Sequence, residues 1–192
     1  MMLYVNGSSH AGAAEAVNQY SFAYQDPGLV HLGHLPHPHN LAVSWGKLLS
    51  VALRSGFHCG VIESNTNTKV INDTQEWIHQ NQNQNKLVII QWCNFENESS
   101  EHEDIYKFHQ LLKEADIRHV FLNSEECFGI NINRYNWGVN FIEPYNPTMT
   151  YSNILNANKI DTVAPNSRHF GRDAHSFFNR FMLQYIVANK LI

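Results

Sequence analysis

Four stretches of the chain are apolar and too short for helices, and between them the apolar residues recur at helical spacing. The first runs over residues 2–5 and stops at Asn6-Gly7-Ser8-Ser9-His10, where Gly7 supplies the backbone freedom for a sharp turn. The second covers residues 57–62. The third, residues 86–92, is continuously apolar rather than alternating, which suits a central strand of a parallel sheet covered on both faces. The fourth covers residues 118–123. Leu41, Trp45, Leu48, Leu49 and Ala52 mark one buried face of a helix, with Asn40 as its N-cap and Gly56 beyond its end. Val70, Ile71, Thr74, Trp77 and Ile78 mark a second helix. Ile105, Phe108, Leu111 and Leu112 mark a third, whose acidic start over residues 101–104 suits its N-terminal dipole. A fourth helix carries an apolar stripe of Phe177, Phe178, Phe181, Met182, Tyr185 and Ile186, with Asp173 placed to cap it. Residues 27–39 read as a loop because Pro36 and Pro38 each remove a donor. Residues 124–166 lack a clear period and predict irregular chain with a short helix over 152–156.

Alternating strands and helices with short connections predict an α/β fold built on a doubly wound parallel sheet, here as a single domain over residues 1–192. Ligands of such sheets collect at the carboxyl ends of the strands. Three polar turns meet there, at residues 7–10, 63–67 and 93–97. His10 and Asn67, with His37 from the proline-containing loop, are the expected substrate-lining side chains.

Composition narrows the chemistry. With 192 residues, 43% hydrophobic and 16% charged, the chain can bury one sizeable core. A net charge of -4 without a Lys/Arg cluster argues against nucleic acid as a partner. Cys59, Cys93 and Cys127 are far apart and form no CxxC pair, so they read as reduced thiols. No apolar run has the length of a membrane span and no leader pattern opens the sequence, so the expectation is a cytoplasmic protein without membrane contact.

A serine hydrolase needs a nucleophile, a histidine to take its proton, an acid to orient that histidine, and donors aimed at the developing oxyanion. Ser9 follows the first strand, Asn94 follows the third, and Asp173-Ala174-His175 opens the last helix. Asp173 and His175 can cooperate only if the chain bends between them.

With these blocks the chain resembles the SGNH (GDSL-type) hydrolase superfamily, and most closely its small phage-encoded members, whose first block reads Gly-Cys-Ser-His. Here that block is Gly7-Ser8-Ser9-His10. The second block's glycine falls near Ser64-Asn65, the third becomes Trp92-Cys93-Asn94, and the last is shortened to Asp173-x-His175. The resemblance implies a three-layer α/β/α, flavodoxin-like sheet and a serine-dependent esterase or deacylase for a small-molecule or carbohydrate ester. It implies Ser9, His175 and Asp173 as the triad, Ser9, Asn94 and Asn65 as oxyanion donors, and neither cofactor nor metal. The altered second and third blocks leave open a weak or inactive binding module on the same scaffold, with Tyr135, Trp137 and Tyr145 available to stack on a sugar.

Two other patterns are weaker. Gly7 and Gly12 have the outer spacing of a phosphate-binding loop, but Ala13 and Ala14 stand where Lys and Ser/Thr are needed. His31, His34, His37 and His39 are metal-ligand types without a cysteine or a fixed helical spacing.

Overall fold

The computed structural model describes residues 1–16, 38–62, 65–165 and 167–192. Its centre is a parallel four-stranded sheet: β1 (Met2–Gly7), β2 (Gly56–Cys59), β3 (Lys86–Trp92) and β4 (Arg118–Asn123), in the order β2-β1-β3-β4. Strand β1 pairs with both β2 and β3, and Gly7 lies opposite Gln91 at the carboxyl edge. The helices are α1 (Pro38–Val43), α2 (Trp45–Ala52), α3 (Asn67–Gln80), α4 (Glu98–Glu114), α5 (Tyr151–Ala157) and α6 (Arg172–Ala188).

The pleat divides the strands between two apolar layers. Leu3, Val5, Leu87, Ile89, Val120 and Leu122 pack with Trp45 and Leu49 of α2 and Phe178, Met182 and Ile186 of α6. Tyr4, Val88, Ile90, Trp92 and Phe121 pack on the other face with Val70 and Trp77 of α3 and Ile105, Phe108 and Leu112 of α4. The expected α/β architecture with a sheet covered on both faces is the one observed. Among the described residues no helix is long and apolar enough to cross a membrane.

Local chemistry moves several boundaries. The helix expected from Asn40 is two helices, broken at Ser44, whose backbone is extended. Its hydroxyl donates to Leu41 O at 2.9 Å and accepts from Lys47 N at 3.1 Å, so one side chain ends α1 and starts α2. Asn40 lies inside α1, which begins at Pro38. Asp173 is not the cap of α6: Gly171 holds that position, and Asp173 is exposed in the first turn. Strand β2 is shorter than its apolar run, ending at Cys59.

The irregular stretch after β4 closes over the α3/α4 layer. Trp137 is buried, and Tyr135 stacks on Tyr106 with ring centroids 3.9 Å apart. The Tyr145 hydroxyl accepts from Tyr135 N and Trp137 Nε1 at 2.8 and 2.9 Å. These rings, expected as sugar-stacking candidates, are bonded to one another as part of this layer.

Candidate active site

The turn after β1 is forced by one residue. Gly7 has φ 127, and a Cβ there would overlap the Gln91 carbonyl oxygen. Only glycine takes this conformation at that proximity. Asn6 Oδ1 accepts the Gly7 N–H at 2.8 Å, and Ser8 N donates to Gln91 O at 2.8 Å. Ser8 is thereby turned inward, its hydroxyl bonded to that of Ser124, and Ser9 is the serine presented at the sheet edge.

No helix follows. Residues 11–16 form successive tight turns, with Ala13 at φ 58 and Glu15 at φ 62. Left-handed backbone at non-glycine residues is uncommon and marks places where the surroundings impose it. Here it accompanies a largely buried Glu15 whose carboxylate faces His169.

Ser9 Oγ lies 2.9 Å from His169 Nε2, and His169 Nδ1 lies 3.2 Å from Glu15 Oε2. The same carboxylate oxygen accepts from Ser167 Oγ at 2.5 Å, and Ser167 Oγ in turn accepts the His169 N–H at 3.0 Å. Thr162 bridges to Phe170, and Val163 N donates to His169 O at 2.9 Å, which fixes the backbone carrying the imidazole. An ionised carboxylate facing Nδ1 keeps the ring proton there and leaves Nε2 to accept from Ser9.

A second group lies beside this one, with the His10 ring 5.1 Å from that of His169. His10 Nε2 is 3.0 Å from Glu125 Oε1, and Asn94 Nδ2 donates to Glu125 Oε2 at 2.9 Å. Arg168 Nη1 stands 3.8 Å from the latter oxygen. The bond from His10 holds the Glu125 carboxyl down at about 2, with Asn94 and Arg168 acting in the same direction. Burial lowers His10 from the ordinary histidine range, so it donates as a neutral imidazole. These residues, with Ser8, Asn65, Phe95 and Ile62, line a cleft of about 460 Å³ at the carboxyl ends of the strands. Cys93 also lines it, but burial followed by Glu101 pushes its thiol up to about 12, which leaves it protonated and unreactive.

The sequence-predicted residues divide accordingly. Ser9, His10, Asn94 and Asn65 meet in the cleft. Asn65 turns its side-chain amide to Gly7 O at 2.8 Å, so what it can offer an oxyanion is its backbone N–H. Asn67 instead ties α3 to the end of β3, accepting from Cys93 N at 2.8 Å and donating to Cys93 O at 3.3 Å. His175 is buried behind the site, and its Nδ1 accepts from Trp45 N at 3.3 Å. Burial, reinforced by His10 and His169, pushes it down to about 3. The histidine on Ser9 is therefore His169 and the acid beside it Glu15, where the sequence pattern points to His175 and Asp173. One signal for His169 is visible in the sequence: Asn166-x-x-His169 has the Asp-x-x-His spacing usual in the last block of the SGNH pattern the sequence resembles, with an amide in place of the acid. Nothing local signals Glu15. His37 lies outside the described residues, as do His31 and His34, and His39 is exposed on α1.

No family model matches the sequence, and no curated protein matches it. Among solved structures, the chain is similar to the psychrotrophic esterase EstA from Pseudoalteromonas sp., in a structure inhibited by monoethylphosphonate. The TM-score is 0.56 at 12% identity, over 97% of each chain. The fold of this chain is thus an α/β fold similar, along nearly the full length of both chains, to that of an esterase.

Proposed function

We propose that the protein is a serine-dependent ester hydrolase of the SGNH type, with Ser9 as nucleophile, His169 as general base and Glu15 as the acid that orients it. The observation that carries this reading is the continuous relay from Ser9 Oγ through both nitrogens of His169 to Glu15. His169 Nε2 takes the Ser9 proton as Oγ attacks the ester carbonyl. The imidazolium so formed is stabilised by Glu15 and then gives the proton to the departing alcohol oxygen, leaving an acyl-serine. Water activated by the same nitrogen attacks that ester and returns the serine.

The oxyanion donors this reading assigns are the Ser9 backbone N–H and the Asn94 side chain, with the Asn65 N–H as a third, all from residues that line the cleft. Such donors act on the charge that develops in the transition state, and loss of one lowers the rate by about 100- to 1,000-fold. The polar side chains that line the cleft, Asn94, Glu96, Glu125 and Arg168, suit an acylated carbohydrate or similarly hydroxylated alcohol.

The test is labelling by a fluorophosphonate together with p-nitrophenyl acetate hydrolysis, for wild type, Ser9→Ala and His169→Ala. Labelling and turnover are expected in wild type and lost in both variants. Equal labelling or equal turnover in wild type and Ser9→Ala refutes the assignment. A folded wild type inert to the probe and to a panel of acylated sugars leaves the scaffold as a binding module.

A further inference from the structure

Glu125 lies just beyond β4, outside the Ser9–His169–Glu15 relay, yet both its oxygens are committed inside the cleft. Its two partners differ in kind. His10 directly follows the nucleophile, is 3% exposed, and is packed against the rings of Tyr151 and Phe170. Asn94 is exposed on the turn after β3, where a primary amide otherwise rotates freely in water. A carboxylate only accepts, so its bond to Asn94 decides which end of that amide faces it and leaves the second N–H of Nδ2 with a set direction.

We propose that Glu125 is a positioning residue that anchors the Asn94 amide to the buried His10, so that the oxyanion donor is oriented before substrate arrives. The catalytic consequence rests on the hydrolase reading; the clamp itself does not. Preorganisation matters because a donor that must reorient during reaction loses most of its advantage over water. A carboxylate near a developing oxyanion is by itself unfavourable. Arg168, 3.8 Å from Glu125 Oε2, and the bond from His10 offset that charge, which gives a reason for both to converge on it.

The experiment combines kinetics and side-chain amide NMR on wild type, Glu125→Ala, Glu125→Gln, Asn94→Ala and the Asn94→Ala/Glu125→Ala double variant, each first shown to be folded by circular dichroism. With p-nitrophenyl acetate, Glu125→Ala is expected to lower kcat by about 10- to 100-fold with KM within about twofold. Glu125→Gln should recover part of that loss, because its carbonyl oxygen still accepts from Asn94. The double variant should be no slower than Asn94→Ala alone, since Glu125 acts through Asn94. Losses that multiply, or a change confined to KM, overturn the positioning role. In ¹⁵N spectra the Asn94 Nδ2 pair should move to free-amide positions in Glu125→Ala, and an unmoved pair overturns the clamp. A wild type that neither hydrolyses esters nor takes up the fluorophosphonate refutes the hydrolase reading, while the amide resonances still decide the clamp.

Discussion

His169 Nε2 lies 2.9 Å from Ser9 Oγ across a separation of 160 residues, whereas Nδ1 of His175 accepts the Trp45 N–H at 3.3 Å. Substituting the two histidines therefore gives opposite phenotypes. His169→Ala should lower kcat/KM for an ester by at least about 1,000-fold with little change in stability, since on the proposed reading it removes the general base. His175→Ala should lower stability by about 1–3 kcal/mol from the unpaired Trp45 N–H alone, while the folded fraction keeps its turnover. Urea denaturation beside steady-state kinetics separates the two.

Glu15→Gln puts an amide where the carboxylate orients His169. The amide can donate to Nδ1 and draw the ring proton to Nε2, the tautomer that cannot accept from Ser9. The expected loss in kcat is about 1,000- to 10,000-fold with KM nearly unchanged, measured under saturating substrate. A loss below tenfold would remove Glu15 from the relay.

Gly7→Ala combines a φ of 127 with overlap of the new methyl and the Gln91 carbonyl. Either the strand shifts or the turn opens, and both move Ser9. The variant should lose at least about 3 kcal/mol of stability and most of its activity, read from urea midpoints and turnover.

Acid should destabilise the fold before carboxylates begin to protonate. His109 Nδ1 and His119 Nε2 are 2.8 Å apart, and His119 Nδ1 is 2.8 Å from Ile117 O. Burial, followed for His109 by His119, pushes both down to about 4. In the unfolded chain these groups protonate near 6.5, so between about pH 6.5 and 4 the unfolded state binds more protons. The stability present above pH 6.5 is lost as pH falls through that window. His10 and His175, also lowered by burial, add to the same slope. Thermal melts from pH 8 to 4 should show a falling Tm, and a His109→Gln/His119→Gln variant should show a shallower fall.

The sheet was legible in the sequence where burial is complete. Residues 86–92 and 118–123 match β3 and β4, because a strand buried on both faces has consecutive apolar residues at its centre, Leu87 to Ile90 and Val120 to Leu122, and is bounded by polar turns. The break at Ser44 was not, since a serine at helical spacing looks neutral until its hydroxyl is bonded to both flanking turns. The site was half legible. Ser9 and Asn94 sit at strand ends, where topology alone places them. His169 is held by a bridge between Thr162 and Phe170 and by an acid from the opposite end of the chain, neither of which leaves a periodic trace. Glu15 is hidden further by its left-handed backbone, which residue type does not announce.

Ser9 and Glu15 belong to the first turn of the chain, and the imidazole between them arrives only after the sheet has been completed. Synthesis from the amino end therefore makes the serine and the carboxylate early and the imidazole that bridges them late. On the proposed reading, a chain still emerging from the ribosome carries an inert serine. Whatever chemistry the cleft performs waits for the bridge between Thr162 and Phe170 that carries His169, so that activity reports the finished fold rather than its parts.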